Sequence, residues 1–169
     1  MTYDSAEIAP PVADDVDTFI RLICDELLGY FARRVVPHED AADCLSETLL
    51  VLWCKRDKLP AAHGDRRAWS YGIAHRVLAA QQRNQLRQHS LAGRLQEQLR
   101  FRPLVAESTD DAAITALASL SIRDRELVTL VVWEGLTIAQ AAVVLGIKPD
   151  AARARYSRAR RTLRKHLSA

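Results

Sequence analysis

The chain lacks the residue groupings on which most protein chemistry is built. Its cysteines, Cys24, Cys44 and Cys54, are odd in number, form no C-x-x-C pair and stand among apolar neighbours. That argues against a disulfide framework or a zinc knuckle, and buried free thiols are expected instead. His38, His63, His75, His89 and His166 are scattered without metal-ligand spacing, and no grouping of Ser, His and acid suggests a nucleophile. No catalytic residue, metal or cofactor is therefore expected, and the chain does not read as an enzyme. No apolar run is long enough to span a bilayer, and Met1 to Asp4 do not open a basic segment followed by an apolar one. Cytoplasmic residence without membrane insertion is expected. Strand signals are missing too, and no fused sensor module is expected beyond Ala169.

What is present is helical and unevenly charged. The apolar fraction of 49% and charged fraction of 27% are those of a globular chain. The net charge is only +3, yet Lys148, Arg153, Arg155, Arg158, Arg160, Arg161, Arg164 and Lys165 crowd one end against the single acid Asp150. A basic stretch loaded at one end points to a polyanionic partner, the plainer alternative being a solvated helix face.

Periodicity divides the chain into an all-α fold of two small helical domains joined by a flexible linker. Residues 1–13, with Pro10 and Pro11, form a loose leader. Residues 14–88 hold three helices. Val16, Phe19, Ile20, Ile23, Leu27 and Phe31 pattern the first, capped by Asp14 or Asp15 and ended by Pro37. The second runs from about His38 to Arg56 with Leu45, Leu49, Leu52 and Trp53 as its stripe. After a loop containing Pro60 and Gly64, the third runs from about Arg66 to Arg87, with Trp69, Ile73, Val77 and Ala80 on one side. Residues 89–110, interrupted by Pro103 and acidic towards the end, form the linker, with some local helix around Leu91 to Leu99. Residues 111–169 then supply four helical segments.

The stretch from Gly135 to Ile147 reads as the first half of a helix-turn-helix. Thr137 caps its helix, Ala141 and Ala142 permit close approach, Gly146 supplies a positive-φ turn, and Ile147 plugs the angle before Pro149 starts the next helix. On that last helix Ala152, Tyr156, Ala159 and Leu163 fall on one face. Arg153, Ala154, Ser157, Arg158, Arg161 and Arg164 fall on the other, where guanidinium groups can meet phosphates and guanine edges. Repressors, activators and promoter-recognition subunits share this motif, so it leaves the class of regulator open.

Leu120, Arg123-Asp124-Arg125-Glu126, Trp133-Glu134-Gly135-Leu136-Thr137, Val144-Leu145-Gly146-Ile147 and Ser157 to Leu163 resemble the fourth conserved region of extracytoplasmic-function sigma factors. The resemblance implies that Lys148, Arg153, Ala154, Ser157, Arg158 and Arg161 serve the minus-35 element. Asp40 to Trp53 resembles the second region, which implies that Asp40, Asp43, Glu47, Leu49 and Trp53 clasp the beta-prime coiled coil of RNA polymerase. Carboxylates beside an apolar ridge suit a basic amphipathic partner. Arg66 to Arg83 resembles the segment that melts the minus-10 element. It implies a base-cradling loop around His63 to Arg67, with Arg66, Arg67, Arg76 and Arg83 on phosphates and Tyr71 available to a base, or else in the core.

The family usually has Asn at Arg76, Asp at Ala80, Gln at Ser46 and a Ser cap at Lys148, so the sequence departs from its pattern at each. The family further implies RNA polymerase core, including its beta flap, promoter DNA and an anti-sigma factor as partners. The rival readings are a stand-alone helix-turn-helix regulator acting on palindromic operators and an adaptor that sequesters an anti-sigma factor.

Overall fold

A computed structural model describes residues 12–88 and 111–167. The expected leader (apart from its last two residues), the whole of the linker with Leu91 to Leu99, and the last two residues lie outside them. In chain order the helices are α1 (Val12–Ala32), α2 (Asp40–Cys54), α3 (His63–Gln88), α4 (Asp111–Ala118), α5 (Ile122–Val132), α6 (Ile138–Leu145) and α7 (Pro149–Leu167). A 3-10 turn at Arg56–Lys58 follows α2, and no strand occurs among the described residues. The all-α class and the three-plus-four division are as the periodicity indicates.

Boundaries shift for local reasons. Helix α1 already runs from Val12, so Asp14 and Asp15 lie within it rather than capping it. It stops at Ala32, ahead of Pro37, where Arg34 and Val35 turn back to hydrogen-bond the Phe31 carbonyl. Helix α3 begins at His63, so His63 to Arg67 form a helical first turn rather than the expected loop. Val16, Phe19, Ile23, Leu27 and Phe31 are buried as their spacing requires, and Tyr30 joins them.

In the second half, Ser121 caps α5 by accepting from the Asp124 amide at 3.1 Å. Arg125 reaches back to the carbonyls of Leu117, Ala118 and Leu120, closing the orphan end of α4. Thr137 and Gln140 form a reciprocal capping box on α6. Gly146 ends α6 at φ 65°, and Ile147 donates to the Ala142 carbonyl at 3.0 Å while packing against the core.

The two halves do not keep separate cores. Helix α6 lies along α3, and one continuous apolar cluster runs from Phe19, Ile23 and Leu27 through Tyr71 and Ile73 to Leu127, Leu130 and Ala141. A small satellite of Leu120, Val128 and Ala159, backed by Tyr156 and Leu163, seats α7.

Candidate nucleic-acid interface

Helix α7 separates its faces as its residue spacing dictates. Ala152 and Ala159 are buried and Tyr156 and Leu163 are packed, whereas Lys148, Arg153, Ala154, Ser157, Arg158, Arg161 and Arg164 are all exposed. Small residues on the inner face bring the helix close to α5 and α6 and leave long cationic side chains projecting into solvent. Between α6 and α7 lies an open cleft of about 360 Å³, lined by Arg153, Arg160, Arg161 and Arg164 with Tyr156 and Ser157. Arg160 extends the surface that the sequence pattern outlined. Its signal was its place directly beside the inward Ala159. Arg153 is ion-paired with Asp150 one turn earlier, which holds its guanidinium near the start of the helix.

The residues expected to capture a melted strand are placed less uniformly. Arg76 and Arg83 are exposed on α3. Arg66 is engaged by the Pro60 carbonyl at 2.7 Å and by Asp15 at 2.8 Å. Arg67 binds Glu26 at 2.7 Å and donates to the Glu134 carbonyl, also at 2.7 Å. His63 is exposed and meets the edge of the Phe19 ring. Tyr71 is a correction: at 1% exposure it is a core residue, its hydroxyl set between the carboxylates of Glu26 and Glu134. Its phenol is pushed up by burial and by those carboxylates, so it stays protonated as a donor. Trp69 packs partly buried against the core, in keeping with its expected role.

The C-terminal half matches a known family on its own: residues 110–163 fit the profile described as "Sigma-70, region 4". Over 150 residues the chain is 31% identical to the "ECF RNA polymerase sigma factor SigF" of Caulobacter vibrioides (strain NA1000 / CB15N), covering 85% of this chain and 80% of that protein. The chain is an extracytoplasmic-function sigma factor. Its family directs RNA polymerase to promoters and is not one of enzymes. Two solved structures share the fold of this sigma factor. The sigma factor RpoE of Bartonella quintana, solved with its anti-sigma factor NepR, is 24% identical at a TM-score of 0.69, with 92% of this chain and 98% of that one covered. CnrH, solved with the cytosolic domain of CnrY, is also 24% identical, at a TM-score of 0.58 over 93% and 95% of the two chains.

On α2 of the sigma factor, Asp43, Glu47 and Trp53 are exposed, Leu49 is half-buried against the core, and Asp40 accepts from Gln81 and Gln85 of α3. Leu50, 63% exposed one turn before Trp53, completes the apolar ridge. An apolar residue off the Leu45, Leu49 and Leu52 stripe was the available signal. Cys44 is buried and its thiol is pushed up to about 11 by burial and by nearby Glu47, Asp40 and Asp43. Cys54 is exposed, correcting the expectation that all three thiols are buried, because it falls on the outer side of α2 next to Trp53. Among the described residues no helix is long and apolar enough to cross a membrane.

Proposed function

We propose that residues 14–88 serve as sigma region 2 and residues 111–169 as region 4, with three surfaces sharing one task. The exposed ridge of Asp43, Glu47, Leu50 and Trp53 on α2 grips the beta-prime coiled coil of polymerase, with Leu49 beneath it and Asp40 bracing α2 on α3. The start of α3, with His63, Arg66 and Arg67, holds the melted minus-10 strand, and Arg76 and Arg83 follow its phosphates. The outer face of α7 reads duplex minus-35 DNA through Lys148, Arg153, Ala154, Ser157, Arg158 and Arg161, while the rest of region 4 meets the beta flap. The chain itself makes and breaks no bond. It works in the cytoplasm, where an anti-sigma factor controls it, as the partners of the two structural neighbours illustrate for those proteins.

The observation that carries this reading is the clean division of α7, with two alanines buried at 0% and 3% and a continuous arginine face opposite them. Run-off transcription with core polymerase and genomic fragments tests it. Discrete, sigma-dependent start sites are expected. Polymerase-independent binding to palindromic sites would favour a stand-alone regulator instead, and polymerase binding without transcription would favour an adaptor.

A further inference from the structure

Part of the surface formed by the end of α1 and the start of α3 is covered by the chain's own C-terminal half, while His63, Arg76 and Arg83 stay exposed. Arg34, its side chain only 3% exposed, binds Glu126 at 3.2 Å and Glu134 at 2.9 Å, and Arg33 binds the second oxygen of Glu134 at 2.6 Å. Among the described residues, the polar contacts of the Glu134 side chain come from Arg33, Arg34 and Tyr71, and its carbonyl accepts from Arg67. At the rim, Gln140 of α6 donates to the Gly64 carbonyl at 2.9 Å, closing over the first turn of α3.

The charges are matched only while the halves are together. Arg33, Arg34 and Arg67 face Glu26 on their own half and Glu126 and Glu134 on the other. Separation leaves a cationic patch beside α3, and guanidinium groups that grip carboxylates two at a time present the geometry that phosphates also fit. We propose that Glu126 and Glu134 stand in for strand phosphates on an Arg33, Arg34 and Arg67 patch, so that docking of the C-terminal half is an autoinhibitory latch over a single-strand binding surface. This deepens the minus-10 reading above and rests on it. A buried guanidinium that loses its carboxylate can recover solvation by opening the interface, so weakening Glu134 shifts the balance to the open form.

The latch is tested with the full chain in two ways. Glu134→Gln should enlarge the radius measured by small-angle scattering and raise affinity for a fluorescent mixed-sequence single strand by about tenfold, the gain expected when the competent form is a minor one. Adding Arg33→Ala should remove most of that gain. In parallel, Gly64→Cys and Gln140→Cys are joined by a thiol-cleavable bis-maleimide in a chain carrying Cys24→Ala, Cys44→Ala and Cys54→Ser. With core polymerase the joined chain should form few open complexes, and cleaving the linker should restore them, a comparison that stands even if Glu134→Gln folds poorly. Equal activity before and after cleavage, or an unchanged radius and affinity in a folded Glu134→Gln chain, overturns the latch. An unmodified chain that fails to initiate with polymerase overturns the sigma reading and the latch with it.

Discussion

His75 shows how one side chain couples the buried charge cluster to pH. Its ring lies 3.5 Å from the Tyr30 hydroxyl, and burial holds its pKa below the ordinary 6.5, with Arg34 and Arg76 adding to the effect and Glu126 opposing it. Because the folded value is the lower one, the unfolded chain binds the proton more readily. The neutral ring's contribution to stability is complete above about 6.5 and is lost as pH falls below it. Melting temperatures measured at pH 8 and pH 5.5 should therefore converge for His75→Gln relative to the native chain. An undiminished pH dependence in the variant would assign the effect to other groups. Arg34 lies on the other side of the same balance: burial works against its charge, yet Glu126, Tyr30 and Glu134 outweigh that and hold its pKa above the usual arginine value.

The outward arginines of α7 are expected to act on DNA alone. Arg158→Glu, on the exposed face, should weaken minus-35 binding by about tenfold or more, the scale of one lost bidentate contact of about 1–3 kcal/mol, with little change in melting temperature. Competition binding with duplex promoter fragments and a thermal melt check both halves of that statement. A matched loss of binding and stability would place Arg158 in the fold instead.

At the scale of the element, the helix-turn-helix was the most legible part of the chain because its signals are local. Thr137, Gly146 and Pro149 each impose a backbone state by their own chemistry, and the structure returns a capping box, an αL glycine and a helix start at those positions. Thr137→Ala should cost about 1 kcal/mol and lower the melting temperature by about 2–4 °C, since the Gln140 amide loses its acceptor. The capping reading fails if the melt is unmoved. Helix α2 was legible in its inner face and less so in its outer one. Leu50 and Trp53 are apolar on the solvent side, where periodicity reads them as noise or as core. Leu50→Ala combined with Trp53→Ala should reduce polymerase capture in a pull-down while sparing thermal stability, because neither side chain is needed to fill the interior. Unimpaired capture would move the polymerase surface elsewhere.

Docking of the two halves was not legible, because it depends on residues far apart in sequence whose types are ordinary wherever they stand. Arg33 and Arg34 carry no periodic or motif signal, Glu126 and Glu134 stand inside the family motifs with nothing to mark them as partners of those arginines, and Tyr71, expected at a melted base with the core as its alternative, has its hydroxyl between Glu26 and Glu134. Arg67, expected on phosphates, is likewise satisfied internally in this arrangement. The fold class needed only local pattern, whereas the charge cluster needed the long-range pairing of α3 with α6.

For the whole molecule, the proposed division of promoter recognition between α3 and α7 has a geometric consequence. Each surface alone offers few contacts, and holding both on polymerase turns the second binding event into an intramolecular one, raising avidity by about 10²–10⁴ only where both elements can be engaged together. The free chain should thus bind promoters poorly, and polymerase should rescue it. B-DNA turns once in about 10–10.5 bp, so lengthening the spacer between the two elements by about 5 bp carries the minus-35 face to the opposite side of the duplex. Occupancy by the polymerase complex should then fall at least as far as Arg158→Glu lowers it, and adding Arg158→Glu to the lengthened spacer should cost little more, since α7 no longer reaches its element. If the losses instead multiply, the spacer change disturbs something other than α7, and the two surfaces do not act as one tethered pair.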